Sequence, residues 1–315
     1  MTPHPTITSP SNPRVRAAAR LRDGEARRES GLTLVDGGRE LRRAVAAGVV
    51  PVELFLDERR LGRVPGQRDA DDPSAGLPTG GELDAWLDDL AARGTSIVLL
   101  APAAFAKVAF GDRNEGCVAV VPFRGHPLAG FTPRPDRPVM IVEGVEKPGN
   151  LGAILRTADA AGLAGVIACG GGTDPANPAT IRASLGTVFS VALATATVEE
   201  AVRWCAGSGR RVVAACPGAA IPWHQAGLAG PVAILLGSEA HGISDAWQAA
   251  AGAGRLRLDR VSLPMHGLAD SLNVAATAAV LAYESVRQAA VAPTPGTAAP
   301  PLSPHSPGPP HGTAP

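Results

Sequence analysis

The sequence predicts an α/β protein that is built from two folded parts. Its 315 residues exceed the length of one ordinary domain, which is about 100 to 200 residues. Short strand-like runs alternate with helical stretches along most of the chain, and this alternation predicts sheets covered by helices. A stretch rich in proline and glycine, Pro122 to Pro138, has the composition of a linker between the two parts.

The first part, residues 1–121, has the pattern of a small α/β domain. Helices are predicted over Arg14 to Arg28, Arg39 to Ala47 and Gly81 to Arg93, and strands over Leu32 to Val35, Val52 to Leu56, Ile97 to Leu100 and Val118 to Val121. Between Arg59 and Gly81 the chain is rich in glycine, proline and aspartate, a composition that cannot sustain a packed element. We therefore expect a surface insertion there.

The second part, residues 139–290, alternates apolar strands with helices more strictly. Strands are predicted at VMIVE, GVIACG, VFSVAL, RVVAAC and VAILLG, and helices at NLGAILRTADAAG, around Pro178 to Leu185, at VEEAVRWCAGSG and over Asn273 to Gln288. Continuous apolar strands separated by helices predict a parallel sheet that is buried on both faces. Residues 291–315 contain no charged side chain and many prolines, which predicts a disordered tail.

Composition and charge exclude several classes of protein. No stretch of about 18 apolar residues is free of charges or helix breakers, so no membrane span is expected. The N-terminal segment has no apolar core of the kind that marks a secretory signal, and we expect a cytoplasmic protein. The four cysteines lie far apart without CxxC pairs or histidines at ligand spacing, so neither a metal site nor a disulfide framework is predicted. Because the net charge is zero, any nucleic-acid site must be local.

Three polar segments of the second part interrupt the simple pattern of strands and helices. They are Val145 to Arg156 (VEKPGNLGAILR), Ala233 to Ser244 (AILLGSEAHGIS) and Val261 to Val274 (VSLPMHGLADSLNV). Each follows or contains an apolar strand and ends at the start of a helix, which is where α/β sheets place their ligands. They predict one site that is built from three loops. The glycine-rich run at 170–172 is not followed by a helix in GxGxxG register, so no ordinary dinucleotide-binding motif is present and an oxidoreductase is not supported.

In order and spacing, these segments resemble the three motifs of the SpoU (TrmH) branch of the SPOUT RNA methyltransferases. NLGAILRTADAAG is similar to the first motif, LLGSEAHGIS to the second and LPMHGLADSLNVAATAAVLAYE to the third. The resemblance implies a trefoil-knot methyltransferase domain, a homodimer and S-adenosylmethionine as cofactor. SNPRVRAAARL and LVDGGRELRRAVAAGV are similar to the small ribosomal-protein-like domain that precedes the catalytic domain in many members, which implies that residues 1–121 bind the RNA substrate.

The resemblance also implies the roles of individual residues. Gly237, Leu263 and Leu272 would hold the cofactor. The catalytic residues would be Asn150, Arg156, Glu239, Ser271 and Asn273. Transfer of a methyl group to a ribose 2′-hydroxyl needs alignment, loss of the hydroxyl proton and a fixed phosphate. Arg156 would grip that phosphate, and because a guanidinium is a poor base we expect it to stabilise the developing alkoxide.

Each residue type also has an ordinary structural explanation. Asn150 could be the N-cap of its helix, and Glu239 could favour a helix N-terminus through the helix dipole. Arg156 could be a solvated charge, and Ser271 and Asn273 could cap the final helix. The three motifs in order favour the functional roles.

Arginines of the first part are candidates for RNA contacts. Arg14, Arg16 and Arg20 lie on one predicted helix, and an excess of positive charge suits phosphate binding, although acidic residues interrupt it. Arg182 is either a second phosphate contact or a surface charge.

The sequence thus predicts an S-adenosylmethionine-dependent RNA 2′-O-ribose methyltransferase that acts on rRNA. A tRNA substrate stays open, and so does a catalytically idle RNA-binding or ribosome-assembly protein that keeps the fold. The sequence does not identify the RNA, the nucleotide or its base.

Overall fold

The structure is a computed structural model that describes residues 4–61, 76–78, 80–110, 116–123 and 125–291. Most of the predicted insertion, residues 62–75 and 79, and the predicted disordered tail from residue 292 onward lie outside the described residues.

The N-terminal part, which ends at Pro122, forms a mixed sheet flanked by helices. Its elements are β1 (Thr6–Ile7), α1 (Pro13–Arg20), α2 (Gly24–Ser30), β2 (Leu32–Asp36), α3 (Gly38–Ala46), β3 (Glu53–Asp57), α4 (Glu58–Leu61), α5 (Gly81–Ala92), β4 (Ser96–Leu100), α6 (Pro102–Val108) and β5 (Cys117–Pro122). The described strands follow the order β1-β4-β3-β5-β2. β5 runs antiparallel to both of its neighbours, and the other pairs are parallel.

The helix predicted over Arg14 to Arg28 is two helices. α1 ends at its C-cap Leu21, and Asp23 begins α2 because its carboxylate accepts hydrogen bonds from the backbone N–H groups of Glu25 and Ala26. This N-cap satisfies donors that a continuous helix would have paired internally, so a single aspartate redirects the chain.

The C-terminal part, from Val139 onward, forms the second sheet. Its elements are β6 (Val139–Glu143), α7 (Pro148–Ala160), β7 (Gly165–Cys169), α8 (Pro178–Ala183), β8 (Leu193–Ala196), α9 (Val198–Ser208), β9 (Arg211–Ala215), β10 (Ile221–Pro222), β11 (Val232–Leu236), α10 (Asp245–Gly252), β12 (Leu258–Ser262) and α11 (Val274–Val291). Its described strands follow the order β10-β12-β9-β11-β6-β7-β8 and all pairs are parallel, as predicted.

The central strands of this sheet are buried on both faces, which explains their continuous apolar sequences. In β6, Met140 and Val142 belong to a core cluster that includes α7 and α11, whereas Val139 and Ile141 belong to a cluster that includes α9 and α10. Alternate residues of a strand point to opposite faces, so the sheet needs apolar residues at every position.

One predicted strand in this part needs correction, and three elements were not predicted. The predicted strand VFSVAL is a short 3-10 helix, Thr187–Phe189, followed by β8, which begins only at Leu193. The elements not predicted are β10, α10 and β12; a two-residue strand, a helix with a single buried tryptophan and a charged strand, LDRVS, give weak periodic signals.

The stretch predicted as a linker connects β5 to β6. Phe131 of this stretch is buried in the core, and Pro127 bridges to Thr195 of β8.

The two parts share a core. One continuous buried cluster contains Leu54 of the first sheet together with Met140 of the second. α11 contributes Val274, Leu281 and Ala282 to this cluster, so these three side chains are covered by the chain itself. In the described part of the chain, no helix combines the length and the apolar character that a membrane crossing requires.

Candidate active site

The three polar segments meet at the carboxyl edge of the second sheet. β6 leads into α7, β11 leads into residues 237–244 and β12 leads into residues 263–273. β11 pairs directly with β6, and β12 is separated from β11 only by β9. Parallel strands present their carboxyl ends at one edge, so segments that are far apart in sequence converge there, as the sequence predicted.

A chain of side-chain hydrogen bonds joins the three segments. Asn150 donates from Nδ2 to Oε1 of Glu239. Asn273 donates from its own Nδ2 to Oδ1 of Asn150, at 3.1 Å. The amide of Asn150 is thus both donor and acceptor, and it links a carboxylate of the second segment to an amide of the third.

The structure shows which of Asn150 and Asn273 is a helix cap. α7 begins at Pro148 with Lys147 as N-cap and without a side-chain cap, so Asn150 lies inside the helix and is not its cap. Asn273 does cap α11, because its Oδ1 accepts from the N–H groups of Ala275 and Ala276 at 2.9 and 3.4 Å. Its Nδ2 remains for Asn150, so the capping and the site contact are compatible.

Ser271 and Glu239 do not behave as helix caps. The hydroxyl of Ser271 donates to Asp270 at 3.4 Å, and both side chains are exposed. Glu239 precedes the first residue of α10, Asp245, by six positions and bonds Asn150 instead. Both residues line the cavity described next.

A cavity of about 400 Å³ lies at this edge. Its volume falls within the range of small-molecule sites, about 300 to 1,000 Å³. It is lined by Ala215, Cys216, Pro217, Leu236, Gly237, Ser238, Glu239, Gly242, Leu263, Met265, Asp270, Ser271, Leu272, Val274 and Thr277. All three predicted cofactor residues, Gly237, Leu263 and Leu272, are among them.

Gly237 is required by the backbone around it. A Cβ at this position would lie 2.1 Å from the carbonyl carbon of Gly242. Ser238 and Gly242 exchange two backbone hydrogen bonds of 3.0 Å, which fold the loop back onto Gly237. Gly237 thus allows the loop after β11 to close, in addition to leaving the cavity wall open as the sequence suggested.

Arg156 lies apart from this cluster. Arg156 follows Asn150 by six positions on α7, which places it about 9 Å further along the helix axis and about one third of a turn around it. Its side chain is exposed, does not line the cavity and makes no ion pair within the described residues. Its exposed guanidinium is open to a ligand that approaches from solvent.

Sequence reasoning missed Glu143, the last residue of β6. Its carboxylate is buried and accepts from the Ser244 backbone N–H at 3.0 Å and from the Trp247 indole N–H at 2.7 Å. It thereby fixes the end of the loop that carries Glu239. A single acidic residue that ends the apolar strand VMIVE is the signal that could have found it.

The cavity residues that follow β9, Ala215 to Pro217, were also missed. They lie at the carboxyl end of the strand next to β11, so the rule that located the other loops applies to them too.

Burial raises the pKa of the Cys169 thiol, at the end of β7, to about 12. The thiol is therefore protonated near neutral pH, which makes it a poor nucleophile.

The predicted RNA-contact arginines differ in their surroundings. Arg16 and Arg20 are exposed on α1, whereas Arg14 pairs with Glu53 and donates to the hydroxyl of Ser96 at 2.7 Å. Arg182 lies 3.7 Å from Asp36 and donates to the carbonyl of Phe110 at 2.5 Å. Both of these partners belong to the N-terminal part, so Arg182 joins the two parts of the chain.

A second, more open depression of about 540 Å³ lies beside the edge strand β8. It is lined by residues 125–129, Thr195, Glu200, Arg203 and Trp204. Although it is larger, it holds none of the predicted site residues, so the chemistry favours the cavity at the three loops.

Comparison with known proteins agrees with this geometry. Residues 137–283 match the model of the SpoU rRNA Methylase family. The chain is 32% identical over 221 residues to a 23S rRNA (uridine(2479)-2′-O)-methyltransferase of Streptomyces viridochromogenes, covering 66% of this chain and 73% of that protein. It is 27% identical over 282 residues to the 23S rRNA (guanosine(2553)-2′-O)-methyltransferase RlmP of Bacillus subtilis, covering 88% and 97%.

Solved structures are similar over nearly the whole chain. An AdoMet-bound rRNA methyltransferase from Sinorhizobium meliloti superimposes with a TM-score of 0.72 and 27% sequence identity. The match covers 90% of this chain and 97% of that one, so it includes the N-terminal part.

Proposed function

Because this chain belongs to the SpoU rRNA methylase family, we propose that it methylates the 2′-hydroxyl of a ribose in ribosomal RNA, with S-adenosylmethionine as the methyl donor. The relatives named above act on 23S rRNA, one at a uridine and the other at a guanosine. The base therefore stays open for this chain.

The observation that carries the proposal is the chain of hydrogen bonds from Glu239 through Asn150 to Asn273. Three polar side chains from three separate segments orient one another beside a cavity. These side chains are half-buried or exposed, so the packing of the core does not explain why all three bond one another. An idle RNA-binding protein that keeps only the fold has no use for this arrangement.

The residues of the cavity fit the proposed cofactor. Leu236, Leu263 and Leu272 supply apolar surface for an adenine ring, and the Gly237 backbone is free of a side chain. Glu239 and Asp270 place negative charge at the cavity, which favours a sulfonium cation. When bound there, S-adenosylmethionine supplies an electrophilic methyl group.

The chain itself has to position the ribose and stabilise the alkoxide. Asn150 is held by Glu239 and Asn273, so its amide is available in one fixed orientation for the substrate edge. Arg156 is exposed beside this site and would hold the substrate phosphate and lower the free energy of the developing alkoxide. Its guanidinium stays charged and thus acts as an electrostatic group rather than as a base. Ser271, exposed at the cavity, would contact the substrate or the donor.

We further propose that the third segment completes a trefoil knot and that the protein acts as a homodimer in the cytoplasm. The hydrogen bond from Asn273 to Asn150 holds the third segment against the first, which supports a chain that threads there. Leu268 of the third segment and Tyr283 of α11 are exposed, and a second copy would cover them. The N-terminal part, which would carry the RNA, offers exposed Arg16 and Arg20.

The direct test is methyl transfer from tritiated S-adenosylmethionine to purified rRNA and, in parallel, to tRNA. We expect incorporation into rRNA at a ribose, which makes the neighbouring phosphodiester resistant to alkaline cleavage. Incorporation into tRNA alone would favour the tRNA alternative. Cofactor binding without transfer to either RNA would favour the idle RNA-binding protein, and so would the absence of cofactor binding.

A further inference from the structure

A buried arginine of the N-terminal part, Arg27, forms an ion pair with the C-terminal part. Its side chain is 4% exposed, and its Nε donates to Oδ2 of Asp174 in the C-terminal part at 3.1 Å. Its Nη1 donates to the carbonyls of Leu21 and Arg22 at 3.0 and 2.9 Å. These carbonyls belong to the end of α1, where a cation is favoured by the helix dipole.

The other partner, Asp174, lies in the loop between β7 and α8. Its second carboxylate oxygen accepts from the backbone N–H of Ala176 at 2.8 Å, and the carbonyl of Ala176 accepts from the hydroxyl of Thr33 at 2.5 Å. Asp174 therefore organises the turn into α8 and binds the N-terminal part at the same time.

The loop of Asp174 is packed against the start of the first motif. Thr173 donates its backbone N–H to the carbonyl of Val145 at 2.8 Å. Gly172, with φ of +92°, passes so close that a Cβ would lie 2.4 Å from the same carbonyl oxygen. Val145 precedes Asn150 by five residues, so a displacement of this loop would be transmitted to the site.

We propose that Arg27 and Asp174 are a positioning pair that aligns the RNA held by α1 with the ribose at Asn150. The proposal rests on the function proposed above. α1 carries the exposed Arg16 and Arg20, and the guanidinium of Arg27 holds the end of that helix against the loop of Asp174, which packs on the first motif. A planar guanidinium serves three acceptors at once, which a lysine ammonium at the same place cannot do with the same geometry.

The test compares full-length Asp174→Asn with Asp174→Glu and with Asp89→Asn. Asp174→Asn keeps an oxygen for Ala176 and removes the charge that faces Arg27, whereas Asp174→Glu keeps the charge. Asp89→Asn is the matched control, because Asp89 pairs with Arg93 within α5 at 3.4 Å and joins no second part of the chain. We expect kcat/KM for rRNA to fall about tenfold in Asp174→Asn, with the cofactor Kd nearly unchanged, because alignment of the RNA and not the cofactor site is disturbed. Asp174→Glu should recover part of the loss.

Hydrogen exchange provides a readout that does not depend on activity. Asp174→Asn should speed amide exchange at Thr173 and Ala176, because the loop loses its ion pair with Arg27, and Asp89→Asn should leave exchange there unchanged. Equal kcat/KM values for rRNA and equal exchange rates in the two Asn variants would overturn the proposal, and so would a parallel loss of cofactor affinity, which would indicate general damage. If the wild type transfers no methyl group to rRNA, the proposed function fails, and unchanged exchange in Asp174→Asn would then overturn the pair separately.

Discussion

Asn273 Nδ2 lies 3.1 Å from Asn150 Oδ1 and donates a hydrogen bond to it across 123 positions of sequence. The same Asn273 caps α11, and the same Asn150 donates to Glu239. The start of the last helix is thus tied to the first turn of α7, and the carboxylate of the second segment is tied to both.

This relationship predicts the effect of Asn150→Asp. The substitution replaces the donor that faces Glu239 by an oxygen, so two carboxylates meet and the ordered chain of hydrogen bonds is lost. We expect kcat/KM for rRNA to fall about a hundredfold, since misplacement by about 1 Å can have an effect of that size. Tritiated methyl transfer measures the fall. Gln248→Glu is the control, because it makes the same change from amide to carboxylate at an exposed position of α10. Activity equal to that of the control would contradict the role of Asn150.

The loop after β11 predicts the effect of Gly237→Ala. The added Cβ would lie 2.1 Å from the Gly242 backbone, so the loop must open and the cavity must change shape. Overpacking of this kind costs about 1 to 3 kcal/mol, and we expect cofactor affinity to fall about five- to a hundredfold by calorimetry. Gly252→Ala, where a Cβ meets open space at the end of α10, should bind the cofactor as the wild type does. The idea is wrong if the two variants bind equally.

The exposed position of Arg156 separates cofactor binding from transfer. Arg156→Ala should reduce transfer about a hundred- to a thousandfold, because an electrostatic contact to the transition state is lost. Cofactor affinity should be unchanged, since Arg156 does not line the cavity. Arg203→Ala, an exposed arginine on α9, should leave transfer unchanged. If Arg156→Ala transfers the methyl group at the wild-type rate, Arg156 does not stabilise the alkoxide.

The buried Glu143 predicts a combined loss of stability and cofactor binding. In Glu143→Gln an amide N–H group must face either the Ser244 N–H or the Trp247 indole N–H, so one buried donor loses its partner. This costs about 1 to 3 kcal/mol of unfolding free energy, which lowers the Tm by several degrees. Cofactor affinity should fall as well, because the loop that carries Glu239 is released. Glu82→Gln, at an exposed position of α5, is the control, and a Tm equal to its value would count against the anchoring role.

The sequence by itself determined the α/β class, the parallel second sheet and the three loops of the site. These features follow from local sequence. Strands that are apolar at every position indicate a sheet buried on both faces, and glycine and polar residues after the strands mark the loops of the site. Gly237, Leu263 and Leu272, which the resemblance to the SpoU family assigns to the cofactor, line one cavity because β11 and β12 end at the same edge of the sheet.

Only the tertiary structure decided which side chains touch. The partners of Asn150 lie 89 and 123 positions away in sequence, and no periodicity encodes a hydrogen bond between loops. For the same reason Glu143 was missed, because its partners follow a different strand. The sequence predicted Arg182 to be either a phosphate contact or a surface charge, whereas its partners in the structure lie in the N-terminal part. A charged or amide side chain has the same local signature whether it meets solvent, substrate or another segment, and the packing of strands and helices determines which of these it meets.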